Sequence, residues 1–418
     1  DDRCGWRDRG EHGRDGRVDN EPLEVQEVDW AKVRRSSFVR AFLKSAYVDA
    51  EGAAARRMEL GIHVDQPANQ PEPPAPLQHF DELLQVLPPW LHVACRRNGW
   101  ERPTPIQAQA IQLVLMGRDV VGIAQTGSGK TGTFLIPALV HMEAQEALTS
   151  FEPGPIALAL APTRELAVQI SDEAAKLLRQ SDSKRHPGGM RTAAVYGGVQ
   201  KRGQLEAMTD EGAHILVATP GRLLDLMQQE KVSLRRTTFL VLDEADRMLG
   251  GEFDGEVKQI MSQVRPERQT VFFSATWSPH DVERMVLPHC FSEPTILRVT
   301  TEGAAGGSDD EDEPVASECI QQEVVVLDNE DWEQNEKEKR TRVEAHIYEV
   351  LEENDTNKIL VFVNDKALAS ELSNKLEQEG FQAGYLHGGR SQDMRLWILQ
   401  QFREGELRLL VATDVIGR

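Results

Sequence analysis

The stretch DVVGIAQTGSGKT (119–131) joins an apolar run to a small-residue turn and then to a helical pattern. Strand, glycine-rich loop and helix in that order are what a phosphate-binding loop requires. Small residues let backbone N–H groups converge on phosphate oxygens, and the helix N-terminus adds a favourable dipole. In this reading Ala124, Gln125, Thr126, Gly127, Ser128 and Gly129 form the cradle. Lys130 reaches the β- and γ-phosphates and Thr131 ligates Mg²⁺. Ala124 stands where the usual G-x-x-x-x-G-K-[ST] pattern begins with Gly. A functionless glycine-rich turn is the plain alternative, and the coincidence of strand, loop and helix speaks against it.

Outward from this loop, short apolar runs alternate with longer helical patterns. IALALA (156–161), TAAVY (192–196), HILVAT (214–219), FLVL (239–242) and TVFFS (270–274) read as strands buried on both faces of a parallel sheet. Helical stretches at 163–180 and 220–229 lie between them. The rhythm breaks at EGAAGGSDDEDEP (302–314), whose composition builds no core. It then resumes. QEVVVL (322–327), KILVFV (358–363), AGYLH (383–387) and RLLVAT (408–413) read as strands, with helices at 337–353 and 365–380. The expected fold class is α/β: two lobes, each a mostly parallel sheet with helices on both faces. The expected division is an extension at 1–79, a first lobe at 80–300, an acidic linker at 301–318 and a second lobe at 319–418. Within the extension, residues 1–20 read as disordered. Helical patches surround Trp30, Phe38, Phe42 and Met58, and QPANQPEPPAP (66–76) reads as a stiff spacer.

Composition narrows the function. Hydrophobic content of 40% and charged content of 28% fit a globular chain, and no apolar run approaches the ~20 residues of a membrane helix. The net charge of −21 has the wrong sign for a generic nucleic-acid binder. It is unevenly spread, however: residues 301–340 hold fourteen acids against three bases. A binding groove needs local positive potential, not a positive total. Cys4, Cys95, Cys290 and Cys319 form no Cys-x-x-Cys pair, which argues against a zinc site and a disulfide framework. The chain opens on Asp1 without a signal-peptide pattern, as an internal cut would. Nucleus or cytoplasm is the expected compartment, the nucleus slightly favoured.

VLDEAD (241–246) sets carboxylates at the end of an apolar strand. There Asp243 can hold Mg²⁺ and Glu244 can orient an attacking water.

With these residues in place, the sequence resembles the DEAD-box RNA helicases of superfamily two, and DEAD itself stands at 243–246. The resemblance runs from Phe80 to Arg418, with the motifs in order. GWERPTPIQ (99–107) is similar to the Q motif, which implies that Gln107 reads the adenine edge and that upstream Phe80 stacks on the adenine ring. Trp100 stands where the family more often has Phe. APTRELAVQI (161–170), YGG (196–198) and TPGR (219–222) resemble first-lobe RNA motifs, implying contacts from Pro162, Thr163, Arg164, Gly197, Gly198, Thr219, Pro220, Gly221 and Arg222. SAT (274–276) resembles the motif that couples hydrolysis to strand separation, through Ser274, Thr276 and Asp246. VFVND (361–365), LHGGRSQDMR (386–395) and VATD (411–414) match second-lobe motifs. They imply that Gln392, Arg395 and Thr413 touch RNA and that Asp414 approaches the nucleotide.

The resemblance implies an ATP- and Mg²⁺-dependent RNA helicase, catalytic through Lys130, Asp243 and Glu244. ATP and RNA bind across the cleft, closure bends one strand, a short duplex separates, and hydrolysis to ADP and phosphate resets the lobes. Each ligand should then tighten the other. Few aromatics accompany the RNA motifs, so recognition should follow the sugar-phosphate backbone, with 2′-hydroxyls separating RNA from DNA. An RNA clamp without net unwinding and a non-catalytic remnant are the alternatives. DW (29–30), GIHV (61–64) and the Pro-rich stretch resemble the flank of larger members acting in pre-mRNA processing and ribosome assembly. Ribonucleoprotein partners are therefore expected, around a monomeric enzyme. The family's His-Arg-x-Gly-Arg arginine-finger motif has no match up to Arg418. The expectation is a truncated second lobe and feeble hydrolysis from this chain alone.

Overall fold

The structure is a computed structural model that describes residues 50–149, 154–209, 212–251, 253–290, 292–300, 321–327, 331–354 and 356–413. The readings for residues 1–49, the acidic stretch 302–314 and Asp414 lie outside the described residues.

Two sheets organise the chain. The first contains β1 (Ile62–Asp65), β2 (Val120–Ile123), β3 (Ala157–Leu160), β4 (Thr192–Val195), β5 (Ile215–Ala218), β6 (Phe239–Leu242), β7 (Gln269–Ser274) and β8 (Thr295–Val299). Its order is β1-β8-β2-β7-β6-β3-β5-β4. Every pair is parallel except β1 with β8. The second contains β9 (Ile359–Phe362), β10 (Ala383–Leu386) and β11 (Leu409–Ala412), all parallel, in the order β10-β11-β9. β3, β5, β6 and β7 are buried at every position, as parallel strands covered by helices on both faces must be. Alternate residues of β6 show the two faces: Phe239 and Val241 join one apolar cluster, Leu240 and Leu242 the other.

The helices follow the expected stretches closely. Arg164–Leu178 and Pro220–Gln228 cover the first sheet, and Lys366–Gln378 and Gln392–Glu404 the second. The expected helix at 337–353 begins earlier, spanning Trp332–Glu353, because Asp331 caps it by accepting from the Glu333 amide at 2.9 Å.

Two readings need correction. QEVVVL is not a strand: Val324 and Val326 are exposed, and among the described residues neither edge of the three-stranded sheet pairs with it. A β-prone run stays irregular without a partner edge. The Pro-rich stretch is a strap, not a spacer. The helix Ala50–Glu59 leads into β1, which lies antiparallel on β8, and the chain then runs across the lobe to Phe80. Proline supplies no N–H, so the strap forms no ladder; its carbonyls instead accept from side chains of the lobe. Arg57 Nη2 donates to the carbonyls of Pro73 (2.7 Å) and Pro74 (3.0 Å), and Gln112 Nε2 to that of Ala75 (2.7 Å).

The sheet positions the site. The loops that carry the sequence motifs leave the C-terminal ends of parallel strands, on one edge of each sheet. That edge is where open α/β sheets bind ligands.

Candidate nucleotide and nucleic-acid site

The loop after β2 folds tightly. Gly127 and Gly129 have φ of 80° and 92°, a region closed to most side chains. A Cβ at Gly129 would stand 2.6 Å from Gln107 Nε2, so this glycine also makes room for the neighbouring helix. Gln107 is buried, donates to the Gly129 carbonyl at 3.0 Å and accepts from the Thr104 amide at 3.0 Å. Thr104 Oγ1 donates to the Ser128 carbonyl at 2.7 Å. The Q-motif residues thus grip the phosphate loop directly.

Lys130 is buried, and its Nζ donates to the carbonyls of Ala124 (2.7 Å) and Gln125 (3.1 Å). Burial lowers its pKa, an effect opposed by Asp243, Glu244 and Asp246. Asp243 is buried too, and its carboxyl is pushed up to about 6 by burial, against the pull of Lys130. Ser128 Oγ is buried and has no partner. An inward cation, a buried carboxylate and an orphaned hydroxyl suit a phosphate group with its metal ion. Among the described residues no cluster of three His, Cys, Asp or Glu offers an all-protein metal cage. Mg²⁺ needs none: one or two protein ligands with phosphates and water suffice, as Asp243 and Thr131 would provide.

Glu244 adopts φ 51°, a left-handed conformation that a non-glycine residue rarely takes. Its Oε2 accepts from Arg247 Nη1 at 2.9 Å. Strain of this kind collects at functional sites. Beyond it, Thr276 Oγ1 donates to Asp246 Oδ2 at 2.6 Å, Ser274 Oγ accepts from the Thr276 amide at 3.1 Å, and the Ala124 amide donates to the Ser274 carbonyl at 3.1 Å. A short bonded path therefore runs from the phosphate loop through β7 to the acidic loop after β6.

The candidate RNA residues of the first lobe gather around the loops after β3, β4 and β5. Pro162 is buried, and Thr163 Oγ1 caps the helix Arg164–Leu178 by accepting from the Leu166 amide at 3.3 Å. The Arg164 guanidinium lies over Gly197 and Gly198. Thr219 is buried just ahead of Pro220 and Gly221. Arg222 points into the protein, with Nη1 donating to Gln204 Oε1 (2.9 Å) and Nη2 to the Val199 carbonyl (3.1 Å). In the second lobe Gln392 opens a helix, Thr413 is buried at the end of β11, and Arg395 reaches the first lobe. Its Nη2 lies 2.7 Å from Glu165 Oε1.

Phe80 sits in the core. Phe80 is 2% exposed and stacks on Trp100, ring centroids 6.0 Å apart. Trp100 in turn abuts Gly132, its ring edge 3.0 Å from where a Cβ would stand. In this structure Phe80 is covered and supports Trp100 from within the core. Sequence reading also passed over Gln204 and Glu165. Gln204 bonds both ends of Tyr196, from the amide (3.4 Å) and to the carbonyl (3.1 Å), as well as Arg222. A glutamine on the polar helix Lys201–Thr209 carries no motif signal. Glu165 reads only as a favourable first-turn acid.

The chain also resembles known proteins. Residues 104–285 match the family model described as DEAD/DEAH box helicase, and residues 341–418 match the helicase conserved C-terminal domain. An ATP-dependent RNA helicase DBP2 of Pyricularia oryzae is 38% identical over 96% of this chain and 68% of its own length. ATP-dependent RNA helicase dbp2 of Schizosaccharomyces pombe is 43% identical over 82% of this chain. The match spans only 57% of that relative's length. Among solved structures, the Chaetomium thermophilum RNA-helicase Prp28 bound to ADP is 30% identical, with a TM-score of 0.51 over 90% of this chain and 81% of that one. Saccharomyces cerevisiae Dbp5 bound to RNA and ADP BeF3 is 25% identical, with a TM-score of 0.64 over 82% of this chain and 77% of that one.

Proposed function

The chain belongs to the DEAD/DEAH box helicase family, and from that membership we propose that it is an ATP-dependent RNA helicase. The observation that carries this reading is the convergence of buried Lys130, buried Asp243 and strained Glu244 at the edge that also presents the Arg164 and Arg222 loops.

Lys130 exchanges the Ala124 and Gln125 carbonyls for the β- and γ-phosphates, and the amides of the loop complete the cradle. Asp243 and Thr131 would hold Mg²⁺, which when bound would neutralise charge on the phosphate oxygens. Glu244 leaves Arg247 to orient the water that attacks the γ-phosphorus, giving ADP and phosphate. The path from Ala124 through Ser274 and Thr276 to Asp246 reports the state of the phosphate loop to the RNA side. Pro162, Thr163, Arg164, Gly197, Gly198, Thr219, Pro220, Gly221, Gln392, Arg395 and Thr413 form the RNA face. Arg222 shapes that face by holding Val199 and Gln204. The first lobe includes the extension from Ala50 onward, since β1 belongs to its sheet. The enzyme works as a monomer on ribonucleoprotein substrates in the nucleus or cytoplasm. Among the described residues no helix is long and apolar enough to cross a membrane.

The test is RNA-stimulated ATP hydrolysis together with displacement of a short RNA duplex, measured on this chain. Stimulation with strand release supports the helicase reading. ATP-dependent RNA retention without release would replace it with the clamp.

A further inference from the structure

The N-terminal strap touches the first lobe at regular intervals, and its anchors lead to the nucleotide loop. Arg118, at the root of β2, donates through Nη1 to Gln66 Oε1 (2.8 Å) and through Nη2 to the Pro71 carbonyl. Thr295 Oγ1 donates to Gln70 Oε1 at 2.8 Å. Arg57 forms the central clamp. Besides the Pro73 and Pro74 carbonyls, it reaches Gln109 Oε1 through Nε at 2.9 Å. Gln109 is fully buried and returns a bond from Nε2 to the Pro74 carbonyl at 3.0 Å.

Gln109 and Gln107 lie on one helix, Pro105–Leu115. Gln109 faces the strap, and Gln107 faces the phosphate loop. The strap also holds the backbone around this helix: the Leu77 amide donates to the Ala108 carbonyl at 2.9 Å, and the Phe80 amide to the Glu101 carbonyl at 3.1 Å. Where the strap ends, Phe80 lies under Trp100, which abuts the phosphate-loop helix at Gly132. Two routes therefore run from the strap to the phosphate loop and its helix, one through Gln107 and one through Phe80 and Trp100.

We infer that Arg57 is a positioning residue for base recognition: by clamping the strap to Gln109 it sets Gln107 and Trp100 at the height an adenine ring needs. The guanidinium is suited to this role. Its planar fork meets two carbonyls and an amide oxygen together, which a lysine ammonium on a flexible stem does not reproduce. Because the clamp lies behind the helix and not in the cradle, its loss should affect the base end of the nucleotide and spare the phosphate end. The inference rests on the reading of Gln107 as the residue that meets the adenine.

The experiment compares the full chain with Arg57→Ala, Arg57→Lys and Gln107→Ala, titrating ADP, GDP and inorganic tripolyphosphate by calorimetry. Thermal melting checks that each variant is folded. Arg57→Ala should weaken ADP about tenfold, the scale of one strong hydrogen bond, and narrow the preference for ADP over GDP. Tripolyphosphate binding should stay unchanged, and Arg57→Lys should fall between the two. Arg57→Lys keeps the charge, so it carries the test should the alanine variant not fold. Combining Arg57→Ala with Gln107→Ala should add little beyond Gln107→Ala alone. Equal loss for ADP and tripolyphosphate, or wild-type base preference in both Arg57 variants, overturns the positioning role. Wild-type base preference in Gln107→Ala overturns the underlying reading of Gln107, and the proposal with it.

Discussion

Arg164 lies flat against Gly198: a Cβ at this glycine would stand 2.6 Å from Arg164 Cζ. Gly198 also has φ +83°, so both steric room and backbone conformation require that it have no side chain. The paired glycines after β4 thus form a seat for a guanidinium from the loop after β3. They need no direct contact with RNA to matter for it.

Gly198→Ala should therefore push Arg164 off its seat and weaken single-stranded RNA about tenfold, the cost of one misplaced charge-assisted bond. ADP affinity should not change, because the phosphate loop lies at a different strand end. Fluorescence anisotropy with labelled RNA, alongside an ADP titration, checks both halves. A parallel loss of ADP binding would mean that the substitution disrupts the lobe.

Arg395 and Glu165 join the two lobes at 2.7 Å, and the arginine side chain is only 9% exposed. A pair this sheltered should couple by about 1–3 kcal/mol in a double-mutant cycle. Glu165→Arg and Arg395→Glu should each weaken RNA binding in the presence of an ATP analogue. The double swap should recover only the part of the loss that the ion pair carries, because Arg395 also belongs to the RNA face. Purely additive losses would place the pair outside the closed arrangement.

Lys130→Ala should abolish measurable ATP binding, since it removes the buried cation that faces the phosphates. Glu244→Gln should keep nucleotide and RNA binding while hydrolysis drops by about 10²–10⁴, the range lost with a general base. Single-turnover hydrolysis separates the two. Wild-type turnover in Glu244→Gln would show that the base lies elsewhere.

A buried histidine gives an acid limit on stability. His214 is held neutral, its pKa lowered to about 3 from the ordinary 6.5 chiefly by burial, and next by neighbouring His186. The unfolded chain takes up this proton first. The neutral ring's contribution is therefore intact above pH 6.5 and is lost as pH falls toward about 3. From the histidine's ordinary pKa down to about pH 5, that loss amounts to about 2 kcal/mol. His214→Asn keeps an acceptor for the Arg191 amide, which now donates to Nδ1 at 3.2 Å. Its melting temperature should depend less on pH across this window, as differential scanning calorimetry would show.

The parallel strands were legible because both faces are buried, which makes runs such as FLVL continuously apolar. The phosphate loop and the acidic loop were legible because their chemistry fixes residue type and spacing. The strap was not. Its proline content matches that of an extended linker, and the donors that hold it, Arg57, Gln109 and Gln112, are scattered polar residues without periodicity. The packing of Phe80 was illegible for a related reason: a lone aromatic beside the Q motif does not tell which way its ring turns, and only the contact with Trp100 shows it.

The antiparallel pairing of β1 with β8 matches Ile62 with Val299. During synthesis at about 5–20 residues per second, the partner strand emerges roughly ten to fifty seconds after β1. Over that interval β1 has no edge to join, and the strap that follows it lacks the Thr295 anchor. The far edge of the sheet, built from β3, β4 and β5, can assemble before it. The Thr295 anchor of the strap therefore forms only when the last strand of the lobe leaves the ribosome, whereas the Arg57 and Arg118 anchors can form well before it.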